Sequence, residues 1–223
     1  MNYQEISAFI FDMDGTILDS MKYWRGENRN FLARRGLPVP EDLESSIDTM
    51  SCHAFARRFV SDHGAPYTFD GIVNEYTEKL LALYQTVIPP KPGAEEFLQK
   101  LSARGILSCV ATATPRHAAV IALQKQGFMD SLAFVTDDAE LGTGKGNPAY
   151  FLRVSERLGV PPEECVVFED SLYAMKGAKA AGMRVLAIEE HVHLNKPELM
   201  RGIRETCDHF VRDFYEAAEY LNL

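Results

Sequence analysis

The stretch Ala8-Phe9-Ile10-Phe11-Asp12-Met13-Asp14-Gly15-Thr16 constrains this chain more than any other. A short, bounded apolar run reads as an interior strand of a parallel sheet, covered on both faces by helices. Asp12 and Asp14 then fall just past its C-terminal end, where open α/β sheets bind ligands. Gly15 permits a sharp exit and close approach of backbone to a bound group. Acids at i and i+2 point the same way in extended chain, and their repulsion protonates one of them unless a cation intervenes. A divalent ion is the simplest cation for that place. Mg²⁺ takes a few carboxylate or carbonyl oxygens and keeps its other positions for water and phosphate. Asp12 is then free to act as a nucleophile and Asp14 as a proton donor or acceptor. The competing readings are a polar turn or a calcium loop. An EF-hand needs an acid or amide fifth and Gly sixth, where this chain has Thr16 and Ile17.

Asp12-Met13-Asp14-Gly15-Thr16 resembles the first motif of the haloacid dehalogenase (HAD) superfamily of aspartyl phosphatases and phosphomutases. The remainder of the chain bears on that resemblance. After Ile17, apolar residues recur at helical spacing in Tyr23 to Leu32, Ala54 to Phe59 and Ile72 to Leu83, punctuated by Pro38, Pro40, Gly64 and Pro66. An all-helical insert after the first strand does not fit a simple alternating sheet. Residues 18–87 are therefore expected to form a helical cap, with Pro89, Pro90, Pro92 and Gly93 at its return hinge. The core is expected to be 1–17 with 88–223. There the pattern alternates: helix 94–104, strand 107–111, helix 116–126, strand 132–135, a loop, helix 148–158, strand 165–168, helix 171–181 and strand 184–188. A final strand and helix fall near 207–221. Alternation without hairpins predicts parallel strands with right-handed crossovers. The expected fold is α/β, a doubly wound parallel-sheet, Rossmann-like HAD core with a small helical cap.

The 223 residues, 46% hydrophobic and 25% charged, are ordinary globular composition, enough for one good core and a small second unit. A formal net charge of −9 argues against nucleic acid or an anionic membrane as the main partner. It leaves room for a phosphorylated small molecule, because a metal or a local cation reverses the field within one cleft. Neither a leader pattern nor an apolar run of the ~20 residues needed to span a bilayer stands in the sequence, so a cytoplasmic protein is expected. Oligomeric state is left open. Cys52, Cys109, Cys165 and Cys207 are scattered and read as reduced, mostly packing residues.

Attack on a phosphate monoester needs positive charge and hydrogen-bond donors around the transferring oxygens. Three further places offer them. Val110 to Thr114 is an apolar strand ending in hydroxyls before a helix, a natural phosphate cradle. Thr112, with Ala113 beside it, resembles the second HAD motif, which holds the phosphoryl group, while Thr114 reads as the helix cap ahead of Pro115. Lys145 lies in a glycine-rich loop that is not a Walker A loop, since Ala139 and Gly146 stand where Gly and Ser/Thr are needed. It resembles the third HAD motif, Lys-x-x-Pro followed by an aromatic, here Pro148 and Phe151, in which the ammonium is a point charge between nucleophile and phosphate. The family usually has Pro directly after this Lys, where this chain has Gly146. Glu169 and Asp170 end a buried strand and open a helix, repeating the logic of Asp12. They offer a further metal oxygen from Asp170 and one from Glu169, direct or through water; the alternative is an acid pair favoured by the helix dipole. With Ser171, Ala174, Gly177, Ala178, Ala181 and Gly182 they resemble the fourth motif, whose small residues pack a helix closely on the sheet.

The metal set expected is thus Asp12, Asp14, Asp170 and Glu169. The resemblance implies that Asp12 attacks phosphorus, Lys145 and Mg²⁺ neutralise the equatorial oxygens, and Asp14 protonates the leaving oxygen and then activates water. Cap position and size are similar to the β-phosphoglucomutase branch, which implies a sugar-phosphate-like monoester. The alternative is a sugar phosphomutase, whose cap Arg sits in Gly-x-Ser-Arg; the best match here is Thr49-Met50-Ser51-Cys52, with Arg57, Arg58 or Lys79 as substitutes. A catalytically silent phospho-ligand binder would have lost an acid or the Lys. A dehalogenase would lack the second acid and the metal. A phosphonate-cleaving Lys, as in a related branch, would have to be Lys22 or Lys79, neither in a motif. His191 and His193 read as a solvated strand end, and His117 carries no assigned chemistry.

Overall fold

The computed structural model describes residues 6–39 and 52–223; Pro40 and Thr49 to Ser51, singled out above, lie outside them. Six strands form one parallel sheet: β1 (Ala8–Phe11), β2 (Leu107–Thr112), β3 (Val135–Asp137), β4 (Cys165–Glu169), β5 (Arg184–Ile188) and β6 (His209–Val211). Their order is β3-β2-β1-β4-β5-β6, so the first strand lies at the centre, where the crossovers change direction. This is the Rossmann-like order, and the crevice beside its switch point is the expected ligand position.

Among the described residues the α-helices are α1 (Met21–Ala33), α2 (Cys52–His63), α3 (Phe69–Thr86), α4 (Ala94–Ala103), α5 (Arg116–Lys125), α6 (Asp138–Leu141), α7 (Pro148–Leu158), α8 (Leu172–Ala180), α9 (Pro197–Thr206) and α10 (Phe214–Leu221). Strand alternation sends Phe9 and Phe11 to the face under α4, α5 and α10, among Phe97, Phe168 and Phe214. Ala8 and Ile10 face the opposite layer with Cys109, Val167 and residues of α7 to α9. Phe11 and Phe168 stack at 5.2 Å between ring centroids; such pairs contribute about 0.5–1.5 kcal/mol beyond area burial.

Helices α1 to α3 share a separate cluster built on Phe31, Leu32, Ala56, Phe59, Ile72 and Tyr76. The chain leaves for these helices and returns from them through neighbouring segments. The amide of Asp19 donates to the Pro89 carbonyl at 3.0 Å, and that of Lys91 to Ile17 at 2.7 Å. Pro89, Pro90 and Pro92 have no N–H to give, so the crossing is held by donors from Asp19 and Lys91. The Lys91 ammonium lies buried 2.8 Å from Glu190 Oε2 and also donates to the Glu189 carbonyl, fixing the return segment to the loop after β5. Among the described residues, no helix is long and apolar enough to cross a membrane.

Four sequence expectations need correction. The strand expected at 132–135 is Val135–Asp137, paired through Val110↔Val135 and Thr112↔Asp137. Apolar composition pointed too early because the true strand ends in buried polar residues. Thr136 donates to Glu140 at 2.8 Å, and both Asp137 oxygens accept backbone amides. The expected loop contains the turn of helix α6. Helix α9 was not expected at all: it opens on Pro197 and buries only Ile203, too narrow a stripe to stand out among charged residues. His191 and His193 lie in a 3-10 turn, and His193 is buried, so they are not a solvated strand end.

Candidate active site

The sheet register assembles the site. Phe11 pairs with both Val110 and Phe168, so Asp12, one residue on, stands level with Glu169 at the end of β4. Its amide donates to the Phe168 carbonyl at 3.0 Å. Lys145 enters from the loop before α7, whose start is fixed by Asn147 accepting from the Ala149 amide and by Pro148 in the first turn. Its ammonium hydrogen-bonds Asp12 Oδ1 and lies 2.8 Å from Glu169 Oε2. The other Glu169 oxygen accepts from the amides of Asp170 and Ser171, both at 3.1 Å, and from the Ser171 hydroxyl at 2.8 Å. Asp12, Glu169 and Asp170 each present an oxygen within 4.8 Å of the other two, the one such metal-capable group among the described residues.

Two glycines make these approaches possible. Gly15 has φ +85°, and a Cβ there would lie 2.4 Å from Asp170 Oδ2, so the turn after Asp12 and the Asp170 carboxylate fit together only without a side chain. A Cβ on Gly177 would lie 2.0 Å from the Lys145 carbonyl oxygen. The small residues of α8 were expected to serve packing on the sheet; Gly177 instead lets the helix press on the lysine loop. Gly177→Ala is expected to cost roughly 1–3 kcal/mol, the usual penalty for overpacking against backbone, and to lower turnover by displacing Lys145. Chemical denaturation together with kinetics checks both; an unchanged variant would show that the loop yields freely.

Asp14 has a different environment. Its Oδ1 accepts from the hydroxyls of Ser20 and Tyr84, each at 2.7 Å, and its Oδ2 from Thr114 at 2.7 Å. The Asp14 carboxylate, expected in the metal set, stands outside the group of three acids and is held by hydroxyls, while Asp12 is held by the ammonium. Thr114 was expected to cap the following helix, but it donates to Asp14, and the first amide of α5 is taken by Asp137 Oδ2 at 2.6 Å. Thr112 ends β2 fully buried, its hydroxyl accepting from the Thr114 amide at 3.1 Å, with half-buried Ala113 at the bend between them. Of the basic residues suggested on the helical segment, Arg58 pairs with Asp62 at 3.6 Å and Lys79 is exposed. Arg57 lies 5.3 Å over the Phe69 ring; burial pushes nearby Asp138 up to about 6, against the pull of Lys145 and, more weakly, of Arg57. Ser20, Tyr84 and Asp138 escaped sequence reading. Asp138 carried a signal, being one of two consecutive acids a few residues before Lys145.

The electrostatics are unbalanced. Burial and then the Glu169 charge push Asp12 up to about 8, against the pull of Lys145. Burial, Glu169 and Asp12 push Asp170 well above the carboxylate range. Burial alone would raise Glu169 as well, but Lys145 and the Ser171 donors hold it low. Burial works against the Lys145 charge, yet Asp12 and Glu169 keep it firmly protonated. One ammonium thus pairs with two of three buried carboxylates, and Asp170 Oδ2 is buried with no hydrogen-bond partner. An all-oxygen, carboxylate-rich set with an orphaned oxygen and excess negative charge fits a hard divalent cation.

A parallel α/β sheet with an acidic, lysine-braced cluster at its switch point defines a broad class of enzymes, and the comparisons narrow it. The sequence model described as haloacid dehalogenase-like hydrolase matches residues 6–182. The chain belongs to that family of hydrolases. It is 28% identical over 203 residues to hexitol phosphatase B of Escherichia coli, covering 88% of this chain and 90% of that protein. It is 30% identical over 176 residues to a phosphoglycolate phosphatase of Xylella fastidiosa, covering 78% and 76%. The crystal structure of CbbY from Rhodobacter sphaeroides in complex with phosphate superposes with a TM-score of 0.82 at 23% identity, covering 98% of this chain and all of that one.

Proposed function

We propose that this chain is a Mg²⁺-dependent phosphatase that hydrolyses a small phosphate monoester, a sugar or polyol phosphate, through an aspartyl-phosphate on Asp12. The observation that carries the reading is the buried Asp12 carboxylate, held by Lys145 beside Asp170 with its unpartnered oxygen. The phosphatase relatives support the reaction class and the small phosphorylated substrate. Asp12, Asp170 and Glu169 would hold the metal, Glu169 directly or through water. When bound, the ion supplies the positive charge that lets two buried carboxylates stay ionised and screens the phosphate dianion.

The remaining work falls to the chain itself. Asp12, oriented by Lys145, attacks phosphorus as the bond to the leaving oxygen breaks, and Asp14 delivers a proton to that oxygen. Asp14 then takes a proton from the water that cleaves the acyl phosphate. Thr112 and the Ala113 amide hold the phosphoryl oxygens at the end of β2. Residues 18–87 act as a cap domain over the core of 1–17 and 88–223, excluding bulk water during transfer.

Phosphate release should be measured across hexose, hexitol, glycerol, phosphoglycolate and aryl phosphates, with Mg²⁺ and with EDTA. Release with Mg²⁺ that stops in EDTA, together with a rise in melting temperature on adding Mg²⁺, is the expected result. Binding of phosphate esters without turnover would overturn the reading, and isomerisation of sugar phosphates without release would replace it by a mutase.

A further inference from the structure

Asp14 is held by three hydroxyls from three parts of the chain: Ser20 just before α1, Thr114 in the core before α5, and Tyr84 near the end of α3, 70 residues away. Each carboxylate oxygen has two acceptor directions. Ser20 and Tyr84 together fill those of Oδ1, whereas Thr114 takes one of Oδ2. Among the described residues nothing else bonds to Asp14, so Oδ2 alone keeps an open direction. The Tyr84 phenol is fully buried in the cluster of Ile17, Leu18, Leu80 and Ile88, and its oxygen is spent on the carboxylate rather than on a backbone carbonyl. A ring fixed in this way allows the carboxylate little rotation about its Cβ–Cγ bond.

Resting on the phosphatase reading above, we propose that Tyr84 is a positioning residue for proton transfer and that Oδ2 of Asp14 is the oxygen that exchanges the proton. In the first step Oδ2 gives its proton to the ester oxygen as the P–O bond breaks and the Asp12–phosphorus bond forms. In the second it takes a proton from the attacking water, which returns Asp14 to its starting state and releases phosphate. Oδ1 serves as the anchor throughout. The donor on α3 makes the seating of that helix and the aiming of the acid a single event.

The test is leaving-group dependence. An aryl phosphate with an acidic phenol departs with little help, whereas a polyol phosphate needs the proton. Tyr84→Phe keeps the ring and removes the hydroxyl that anchors Oδ1. On kcat/KM, which covers the steps through leaving-group departure, it is expected to lower the polyol ester roughly tenfold, with a fall at least about fivefold smaller on p-nitrophenyl phosphate. Ser20→Ala removes the other Oδ1 donor and should give the same pattern. General loosening of the fold would lower both esters alike, and that result overturns the proposal, as does no fall at all. An unaffected Tyr84→Phe beside an inactive Asp14→Asn overturns this proposal alone. A wild-type chain that turns over neither ester overturns the phosphatase reading with it.

Discussion

Asp12→Asn is expected to fold like the parent and to lose at least ~10⁴ in kcat, the scale seen when a nucleophile is removed outright. The amide preserves the shape at the end of β1 and the Phe168 pairing of its own backbone, but it cannot form an acyl phosphate. In this site the substitution also relieves a cost. Burial and the neighbouring Glu169 raise Asp12 to about 8, so the metal-free protein holds an ionised Asp12 only at the expense of stability. The folded value lies above the unfolded one, and that penalty grows as pH rises from about 4 toward 8. The variant should therefore melt at or above the parent in EDTA near pH 8, with a smaller gap near pH 5. Melting curves at both pH values, set beside phosphate release, check the two halves separately. Residual turnover within tenfold of the parent would remove Asp12 from the nucleophile's place.

Lys145→Met is expected to damage both folding and chemistry. The ammonium is 2% exposed and contacts two carboxylates, and breaking such a buried pair typically costs about 3–5 kcal/mol because the partners are left buried and unpaired. Turnover should fall by roughly 10²–10³, the usual cost of removing one preorganised group that stabilises transition-state charge. The stability loss carries a pH signature. Lys145 helps hold Glu169 below its ordinary value of 4.5, a contribution present above that pH and lost as pH falls through the lower folded value. The deficit of the variant should be widest at neutral pH and narrow on acidification. A deficit independent of pH would mean that lost packing of the lysine stem, rather than lost pairing, sets the cost.

Both predictions concern residues that could be read before any coordinates. Asp12, Lys145, Glu169 and Asp170 were legible because each follows a bounded apolar run or a glycine-rich turn, and because strand ends of a parallel sheet converge on one edge. The bounded apolar run marked β1 as an interior strand, and the sheet order places it at the centre. Asp14 was legible as an acid but its surroundings were not, since Ser20 and Tyr84 reach it from helices whose packing no local pattern encodes. Thr114 was noticed for its proximity to Pro115, and proximity misled: the better acceptor for the α5 amide came from β3, through a pairing visible only in the sheet register. Gly177 was read as a small residue under a helix, but its neighbour is the carbonyl of a lysine 32 positions earlier. Helix α9 escaped because it is mostly solvated and touches the rest of the fold largely through α8.

The hydrogen-bonded crossing at Leu18 and Pro90 bears on how such an enzyme diversifies. Departure and return occur at one point, so the chain re-enters the core at the same place whatever lies between them. The entropy of closing an intervening loop rises only slowly with its length, about 0.6 kcal/mol per doubling. A longer, shorter or wholly different helical segment can therefore be plugged into this socket without re-registering a strand or moving Asp12. The serine ahead of the outgoing helix and the tyrosine on the returning one have to be reproduced for the acid to be aimed, so a graft that omits either would inherit a new selectivity together with a slack proton donor.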